Sequence, residues 1–342
     1  MDVQTSSTIQ DITEHEWMSL VGSDSIEQSY RWFRAVEDSR IRDMAYVFIR
    51  EKGLLKAAAC GFCDIFKVYG VTIPFLEVGS PLGMSACFFS STSQHTTALL
   101  KALTQIQRSR KCRGMMIMDL SEQQVAGLNQ YMRGFVHCPP YDNTYIDLPF
   151  SDFDEYLESL PSKARRSVRI TINRAEKKWN LKVVSTHEFS RWKEVAHRLQ
   201  GYVCEEHHNF RWHLPLTFYD ALETHLKDDA ELLLFFKDQI PIVYGLALNS
   251  PESCQYKFVG IDPAYRHYHA YFLLYYEGIR RAIERNQSRI YFGTSNYEFK
   301  EKIGCKRESL YGFLKLRNPV LNAMMQCYVA GMKIMGKTVD YT

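Results

Sequence analysis

Residues Tyr256–Lys315 read YKFVGIDPAYRHYHAYFLLYYEGIRRAIERNQSRIYFGTSNYEFKEKIGCKRESLYGFLK, and this stretch decides the fold. Its first residues alternate as a strand does, and Asp262-Pro263 ends that strand. Apolar residues then recur at helical spacing over 270–285, and Arg289–Phe292 is typical of a second, buried strand. This order places the loop 262–270 at a helix N-terminus, where backbone N–H groups and the helix dipole hold anions or a polarised carbonyl.

The same order of elements occurs earlier in the chain. The predicted elements of the first half are a helix near Tyr30–Val36, a hairpin at 45–60, a strand at 71–78, a helix at 98–107 and a strand at 115–120. In the second half, a hairpin at 232–248 precedes the stretch quoted above. Two copies of one order predict tandem domains in the α/β (α+β) class, each a mixed, mostly antiparallel sheet flanked by helices.

Length and composition agree with two globular domains. The chain has 342 residues, of which 46% are hydrophobic and 24% are charged. These values suit about two domains and argue against disorder. The predicted boundaries are an N-terminal lead-in at 1–24, an N-terminal domain at 25–150, basic linker helices at 151–180, a C-terminal domain at 181–318 and an apolar, Met-rich tail at 319–342.

Charge and cysteine content restrict the partners and the compartment. A net charge of +3 gives no reason to expect DNA as a partner. The nine cysteines are scattered, which is typical of a protein in the reducing cytoplasm. The one CxxC, Cys60-Gly-Phe-Cys63, lies in an apolar, strand-like run and has no second pair. We therefore interpret it as a structural, reduced pair rather than a zinc or redox motif.

No stretch of the sequence predicts a membrane span. The N-terminal residues are polar and acidic and lack the apolar core of a signal peptide, and no run of about 18 apolar residues occurs. The apolar run Val320–Met335 is shorter than a span. We expect it to form a packing or interface helix, and peripheral contact with a membrane surface is the alternative.

Three runs of the quoted stretch carry a family resemblance: GIDPAYR, AYFLLYYEGIRRAIERN and YFGTSNYEFKEKIG. They resemble the C-terminal half of the FemAB/BioF2-like (CelD-like) branch of the GNAT acyltransferase superfamily. In that branch a Phe-Gly turn follows the helix and precedes a Tyr-x-x-Lys segment and a glycine, and here these are Phe292-Gly293, Tyr297–Lys300 and Gly304. The similarity covers roughly residues 25–318, including a link between the two halves at 146–179.

The resemblance implies tandem GNAT-like domains with an N-acyltransferase site in the C-terminal one. Such an enzyme transfers an acyl group from a thioester donor, acyl-CoA or a carrier protein, directly to an amine through a tetrahedral intermediate. We expect no tightly bound cofactor and no metal, with acyl-CoA as a co-substrate and a small-molecule or envelope-precursor amine as acceptor. The first alternative is an aminoacyl transferase that uses aminoacyl-tRNA. The second is a non-catalytic binding protein that keeps the fold.

One departure from the wider superfamily concerns the donor loop. CoA-using members have the pattern Q/R-x-x-G-x-G/A, whose glycines let backbone N–H groups approach the pyrophosphate. The corresponding run, Arg266-His267-Tyr268-His269-Ala270-Tyr271, has neither glycine. The donor therefore stays open among acyl-CoA, a carrier-protein thioester and aminoacyl-tRNA. Members that use tRNA carry a long helical-hairpin insertion, for which 240–315 has no room.

Four residues are candidates for catalysis. By resemblance, Lys300 matches a lysine that faces the reacting carbonyl, where an ammonium stabilises developing negative charge. Glu298 is a candidate base or amine-orienting group, and Asp262 is a candidate for positioning the amine. His269 is a candidate for proton transfer near neutral pH. The alternatives are, in the same order, a solvated lysine, a surface carboxylate, a structural Asp-Pro turn and a space-filling histidine.

A second set of residues is predicted to bind the donor or substrate: Tyr256, Tyr265, Arg266, His267, Gly293, Tyr311, Arg165, Arg166 and Arg169. The tyrosines are candidate donors to an oxyanion or a leaving thiolate, and packing is the alternative in a chain with 21 tyrosines. The three arginines lie on a predicted basic helix, Lys163–Lys178, which suits phosphates of CoA, a nucleotide or tRNA. The alternative is the solvated face of an amphipathic helix.

A run of charged residues, Glu205-Glu206-His207-His208, invites a metal interpretation. It lacks the two histidines four residues apart, with the adjacent glutamate, that a zinc protease motif needs. We interpret it as the polar end of a helix.

Overall fold

The computed structural model describes residues 1–68 and 71–334. The strands are β1 Asp2–Ser6, β2 Asp43–Glu51, β3 Leu54–Val68, β4 Val71–Val78, β5 Phe88–Phe89, β6 Gly114–Leu120, β7 Val136–Asp147, β8 Lys182–Thr186, β9 Ala230–Lys237, β10 Ile240–Asn249, β11 Ser253–Ile261, β12 Arg289–Gly293 and β13 Lys306–Leu316. The α-helices are α1 Glu14–Val21, α2 Tyr30–Ser39, α3 Ser93–Ser109, α4 Glu122–Leu128, α5 Phe153–Ser159, α6 Ser162–Asn173, α7 Phe189–Glu206, α8 Leu216–His225, α9 Ala270–Glu284, α10 Tyr297–Lys302 and α11 Pro319–Ile334.

The first compact unit contains the described residues of 1–22, 27–142 and 309–334. Its sheet has the strand order β1-β2-β3-β4-β6-β13, and β5 pairs with β3. Neighbouring strands run antiparallel except β4 and β6, which are parallel. The buried side chains Leu99, Leu103 and Ile106 of α3 share one hydrophobic core with Val47 and Ile49 of β2.

The second compact unit contains residues 23–26 and 143–308. Its sheet runs from the end of β7 through β12, β11, β10 and β9 to β8. Only β11 and β12 are parallel among these neighbours. The core of this unit includes Leu274 and Ile279 of α9, Val243 of β10 and Ile290 of β12. The predicted fold class is confirmed, because each unit is a mixed, mostly antiparallel sheet flanked by helices.

Both predicted hairpins are present and have the same turn geometry. The residues between β2 and β3 are Lys52 and Gly53, with φ of +51° and +80°, and those between β9 and β10 are Asp238 and Gln239, with φ of +47° and +71°. Two residues in the left-handed region match the twist of the flanking strands, which favours this two-residue turn.

The predicted lead-in at 1–24 requires correction. Residues Asp2–Ser6 form β1, which pairs with β2 along its length. α1 follows, and its Trp17 is fully buried. The side chains of β1 are mostly exposed, so this strand is held by backbone pairing, which composition does not reveal.

The predicted domain boundaries also differ from the compact units. The predicted linker helices, α5 and α6, belong to the second unit, which begins at 143 rather than 181. Residues from 309 onward belong to the first unit, because β13 pairs with β6 through contacts such as Phe313 opposite Ile117. The returning strand explains why a boundary drawn along the chain at 318 falls in the wrong place.

The described part of the apolar tail, residues 319–334, forms α11, as expected of a helix at Val320–Met335, and residues 335–342 lie outside the described residues. Several large apolar side chains of α11 face solvent, among them Val320, Leu321, Met324 and Tyr328. Across the described ranges, no helix has both the length and the hydropathy that crossing a bilayer demands.

Candidate active site

The two parallel strands of the second unit pair over a short distance only. β11 and β12 are in register at Ser253 with Arg289, Cys254 with Ile290 and Gln255 with Tyr291. Within the described residues their pairing ends there, while β11 continues to Ile261 along β10. We call the end of this pairing the fork. On its β11 side, the backbone groups that would face β12 are left without that strand as a partner.

Unusual backbone conformations occur on both sides of the fork. On β11, Phe258 has a φ of +50° and coincides with an extra residue in the pairing with β10. A bulky residue in this region is an outlier that the surrounding structure must impose. On the other side, Gly293, Ser295 and Asn296 have φ of +71°, +87° and +48° between β12 and α10. Such clusters are typical of functional sites.

The side chain of Lys300 occupies the β12 side of the fork. It is 1% exposed, and its ammonium donates to the carbonyl oxygens of Phe292 at 2.8 Å, Gly293 at 3.0 Å and Thr294 at 3.4 Å. These carbonyls lie where β12 no longer pairs with β11, so the lysine supplies donors that a neighbouring strand would otherwise provide. Thr144 of β7 also donates to Gly293, with its Oγ1 at 2.6 Å from the same carbonyl oxygen.

Burial affects the ionisation of Lys300 and of the neighbouring cysteine. Removal from water lowers the pKa of Lys300 to about 8, because the charged form loses hydration. Burial also raises the pKa of Cys305 to about 12. The aromatic rings nearby are apolar: Phe292 lies 5.0 Å from Tyr275, and Phe299, adjacent to Lys300, lies 4.6 Å from Phe272. The positive charge is therefore held in a poorly hydrated environment.

The predicted donor loop forms a 3-10 turn, Pro263–Tyr268, between β11 and α9. Asp262 caps this turn, since its Oδ1 accepts a hydrogen bond from the Ala264 N–H at 3.0 Å. His269 begins α9 with a φ of +56°. The histidine thus adopts the left-handed conformation for which glycine is the usual residue.

The other loop side chains are mostly exposed and stack on one another. Tyr265 stacks on Tyr268 with ring centres 6.1 Å apart, and the ring of His267 lies 4.1 Å from that of Tyr268. Arg266 forms an ion pair with Glu206 at the end of α7. This carboxylate is therefore a competitor for any phosphate at Arg266.

The basic helix ends next to the same loop. After α6 the chain makes a π-helical turn, Arg174–Lys178, which is rare and often found at functional sites. The turn delivers Trp179 to the loop, with its ring 5.6 Å from Tyr268 and 6.0 Å from His269. Aromatic faces, a helix N-terminus and basic side chains therefore lie near one another at this end of the second unit.

The three arginines of α6 differ in how they are held. Glu158 of α5 forms ion pairs with Arg165 at 2.5 Å and with Arg169 at 2.9 Å. Arg166 is exposed and has no ion pair within the described part of the chain. It is the arginine of the three that is available to an added anion.

Two further predicted site residues are Glu298 and Tyr311. The carboxylate of Glu298 is exposed and paired with Lys302 at 2.6 Å, which lowers its pKa. A low pKa in water does not suit a general base. Tyr311 lies on β13 in the first unit, opposite Leu120.

Tyr256 is buried beneath α9. Its ring lies in a slot formed by two glycines, since a Cβ on Gly278 would lie 2.8 Å from it and one on Gly245 would lie 3.2 Å from it. The hydroxyl has no hydrogen-bond partner among the described residues, and burial raises its pKa well above the usual value.

Three residues at the fork and loop were missed as site residues from the sequence: Thr144, Phe258 and Trp179. Thr144 contacts Gly293 across 149 positions of chain, a separation at which a single sequence carries no signal. No residue type in the sequence around Phe258 indicates that its backbone has a positive φ. Trp179 directly follows the basic run Lys163–Lys178, which is the one signal in the sequence that could have indicated it.

No group of three or more His, Cys, Asp or Glu side chains is arranged to hold a metal ion in residues 1–68 and 71–334. Residues Glu205 and Glu206 close α7, and His207 caps it.

Comparison with known proteins gives a match over the second unit. Residues 162–301 match a family model described as an acetyltransferase (GNAT) domain. The matched range contains both strands of the fork and ends one residue after Lys300. A search of curated proteins finds no significant match.

Solved structures similar to the whole chain share its fold. FemX aligns with a TM-score of 0.66 at 14% identity, covering 95% of this chain and 100% of FemX. A tandem GNAT protein from the clavulanic acid biosynthesis pathway aligns with a TM-score of 0.60 at 10% identity, covering 93% and 99%. The C-terminal domain of a putative lysylphosphatidylglycerol synthetase from Agrobacterium fabrum aligns with a TM-score of 0.58 at 13% identity, covering 92% and 95%. At these identities the likeness shows the fold.

Proposed function

We propose that this chain is an acyltransferase of the GNAT superfamily and that the fork of the second unit is its catalytic site, since residues 162–301 match a GNAT-domain model and the chain shares the fold of a tandem GNAT protein. The reaction is transfer of an acyl group from a thioester, acyl-CoA or a carrier protein, to the nitrogen of an amine. The observation that carries the proposal is the early end of pairing between β11 and β12, with a buried ammonium beside it.

The side of β11 that β12 leaves beyond the fork suits an extended donor. Residues 256–261 present backbone N–H and C=O groups that β12 does not use. An extended arm that contains amides, such as the pantetheine of CoA or of a carrier protein, offers complementary groups, and a strand edge binds such arms by backbone hydrogen bonds. A donor bound in this way has its thioester directed along the fork.

Lys300 stabilises the charge that develops during transfer. Two of its hydrogen bonds are short, and the third, to Thr294, is 3.4 Å. An ammonium has three protons, and the one in the long contact is the one available to the carbonyl oxygen of the donor. As the amine attacks, this oxygen becomes an oxyanion, and a preorganised donor in a poorly hydrated site stabilises it.

The remaining steps conserve atoms and charge. The amine nitrogen forms a bond to the carbonyl carbon, the tetrahedral intermediate collapses, and the carbon–sulfur bond breaks with the electron pair leaving on sulfur. The proton lost by the nitrogen goes to solvent, and the thiolate takes one in return. Asp262 and His269, which cap the turn after β11 and the start of α9, remain candidates for positioning the amine and moving its proton.

The loop before α9 retains features that favour a phosphate-bearing donor without glycines. His269 keeps a left-handed conformation at the helix start, and Trp179 and Tyr268 offer ring faces on which a base stacks. Arg166 and the basic π-helical turn supply positive charge. The same features fit the 3′ end of an aminoacyl-tRNA, so transfer of an aminoacyl group is a second candidate.

A non-catalytic binding role is a third candidate, favoured by one observation: all three contacts of the Lys300 ammonium are already made with carbonyls. The acceptor in the catalytic proposals is a small-molecule or envelope-precursor amine. Contact with a membrane surface through α11 is consistent with an envelope precursor, because its apolar side chains are exposed.

The test is acyl transfer measured by mass spectrometry of the products. The purified chain is mixed with a panel of amines and, separately, with acetyl-CoA, longer acyl-CoA, an acylated carrier protein and aminoacyl-tRNA. We expect an N-acylated amine to form with one donor class and to be lost in Lys300→Met. Absence of product with every donor, or full turnover in a folded Lys300→Met, would contradict the proposal.

A further inference from the structure

Two cysteines of the first unit are in contact although they are far apart in sequence. The sulfur of Cys63 lies 3.5 Å from the sulfur of Cys112. Cys63 is on β3, and Cys112 lies in the loop between α3 and β6, where its N–H donates to the Gln107 carbonyl at 2.9 Å. The two sulfurs of a disulfide are about 2.05 Å apart. The sulfurs of Cys63 and Cys112 therefore need to approach each other by about 1.5 Å, through rotation of their side chains, to reach bonding distance.

This contact corrects the interpretation of Cys60 and Cys63 as a pair. Residues three apart on a strand point to opposite faces, and both cysteines lie on β3. Cys60 is fully buried, and its N–H donates to the Cys87 carbonyl at 3.0 Å. The sulfur that contacts Cys63 is therefore that of Cys112 and not that of the other cysteine of the CxxC.

A fixed cation lies beside Cys63. Arg110 forms an ion pair with Asp43 at 3.0 Å, and its Nη1 lies 3.9 Å from the Cys63 sulfur. The same guanidinium donates to the Met44 carbonyl, which holds it in place. Asp43 is directly opposite Cys63 on β2, so the arginine offsets a negative charge that would otherwise oppose a thiolate.

The two thiols are unequal in acidity. The hydrogen bond from Cys112, together with Arg110, lowers the pKa of Cys63 to about 6, against the opposing effects of burial and of Asp43. The same hydrogen bond and burial raise the pKa of Cys112. At neutral pH one sulfur of the pair is thus the nucleophile and the other keeps the proton.

Cys63 and Cys112 also differ in their exposure to solvent. Cys63 is half-buried and Cys112 is fully buried. A small molecule in solution therefore reaches Cys63 first, and Cys112 reacts from behind it.

We propose that Cys63 and Cys112 form a redox-sensitive dithiol, with Cys63 the attacking thiolate toward a low-molecular-weight disulfide and Cys112 the resolving thiol. The Cys63 thiolate attacks one sulfur of the small disulfide, forms a mixed disulfide and releases one small thiolate. Cys112 then loses its proton to solvent and attacks the Cys63 sulfur, which forms the protein disulfide and releases the second small thiolate. Two electrons pass from the dithiol to the small disulfide.

The experiment uses the full chain with Cys327→Ser, which removes an exposed cysteine on α11. The reduced protein is equilibrated with mixtures of oxidised and reduced glutathione and examined by intact mass and peptide mapping. We expect loss of two hydrogen atoms and a Cys63–Cys112 link, reversed by excess reduced glutathione. Cys60→Ala should give the same result. Melting temperatures establish that each variant is folded.

Two further variants test the order of steps. Cys112→Ser should accumulate a stable glutathione adduct on Cys63, and Cys63→Ser should leave Cys112 unmodified. Arg110→Gln should slow alkylation of Cys63 by iodoacetamide at pH 6.5 by several-fold, because the thiolate loses its cation. A link between Cys60 and Cys63, absence of any link at every glutathione ratio, or equal adducts on Cys63 and Cys112 would overturn the proposal. Should Cys112→Ser not fold, Cys112→Ala replaces it with the same expected adduct.

Discussion

The ammonium of Lys300 lies 2.8 Å from the carbonyl oxygen of Phe292. Phe292 is the first residue of β12 after its pairing with β11 ends. A buried lysine is costly unless its protons are used. Here they bind carbonyls that the separation of two strands has left open. The same contact thus stabilises the fork and places positive charge beside it, so the catalytic role proposed for this residue is linked to its structural one.

Replacement of Lys300 by methionine keeps the length of the side chain and removes the donor. We expect activity to fall about 100-fold or more, the scale of losing an oxyanion donor. The structure also predicts a lower melting temperature, because a buried carbonyl without a donor costs about 1–3 kcal/mol. Lys302→Met is the matched control on the same helix, since Lys302 is exposed, and it should change activity less than about twofold.

Activity should decline as pH rises through about 8, the lowered pKa of Lys300. Above that pH the ammonium loses its charge and no longer stabilises an oxyanion. Lys300→Arg, which stays charged to pH 12 or so, should lack this decline in pH–rate profiles of kcat. An unchanged high-pH limb in the arginine variant would assign the decline to another group.

Whereas activity should fall as pH rises, the contribution of Lys300 to the stability of the fold should increase with pH. The unfolded lysine holds its proton up to about pH 10.4, whereas the native one releases it near 8. Between these values the unfolded state binds more protons, so the contribution of Lys300 to the free energy of unfolding rises with pH and is lost as pH falls through 8. Urea unfolding of the wild-type protein and of Lys300→Met at pH 7.5 and pH 10 measures this contribution. The free energy of unfolding of the wild type, relative to that of Lys300→Met, should be larger at pH 10 than at pH 7.5.

Removal of the Tyr256 hydroxyl should be tolerated. This hydroxyl is buried without a partner among the described residues, so Tyr256→Phe should leave stability unchanged or raised by about 1 kcal/mol or less. Activity should stay within about twofold of wild type. The control is Tyr275→Phe, which breaks a 2.9 Å hydrogen bond with Tyr271 and should destabilise by about 1 kcal/mol. A loss of activity in a stable Tyr256→Phe would restore the sequence-based assignment of this tyrosine to the donor.

Gly293→Ala should impair both the fold and the reaction. The φ of +71° at Gly293 is unfavourable for any residue with a Cβ, at a cost of about 1–2 kcal/mol. The strain falls on the carbonyl that Lys300 and Thr144 share. Gly127→Ala is the control, because Gly127 lies in α4 with nothing within 4 Å of an added Cβ, and it should be neutral or slightly stabilising. Calorimetry and turnover are the measurements.

Charge reversal at Arg166 should weaken binding of a phosphate-bearing donor. We expect about a tenfold loss at low salt that disappears near 0.5 M salt, since the contact is exposed and electrostatic. Arg198→Glu, the same charge change at an exposed position of α7, should have a smaller effect. Equal losses in the two variants would indicate a general effect of net charge rather than a site on α6.

Local patterns in the sequence predicted the parts of the fold that depend on neighbours. The hairpins at 45–60 and 232–248 and the apolar stripe over 270–285 were correctly located, because hairpins and amphipathic helices depend on residues within a few positions. The sequence left open whether Lys300 is buried, and it gave no signal for the three carbonyls that accept from it. These carbonyls lie at a turn with left-handed residues at Gly293, Ser295 and Asn296, of which only Gly293 and Asn296 are types that favour that conformation.

Contacts between distant parts of the chain were not predictable from one sequence. The ion pair of Arg266 with Glu206, the contact of Cys63 with Cys112 and the return of β13 to the first unit join residues separated by 49 or more positions. Each depends on the final arrangement of strands. Tyr311 lies in the first unit because β13 returns to that unit and pairs with β6.

The most direct test is a crystal structure of the chain with a non-reactive analogue of whichever donor supports turnover, in which a methylene group replaces the thioester sulfur and the carbonyl oxygen is kept. The account predicts the donor extended along residues 256–261 of β11, with its acyl oxygen about 3 Å from the Lys300 ammonium and the contact to Thr294 broken. A donor bound elsewhere, with Lys300 still bound to all three carbonyls, would contradict it.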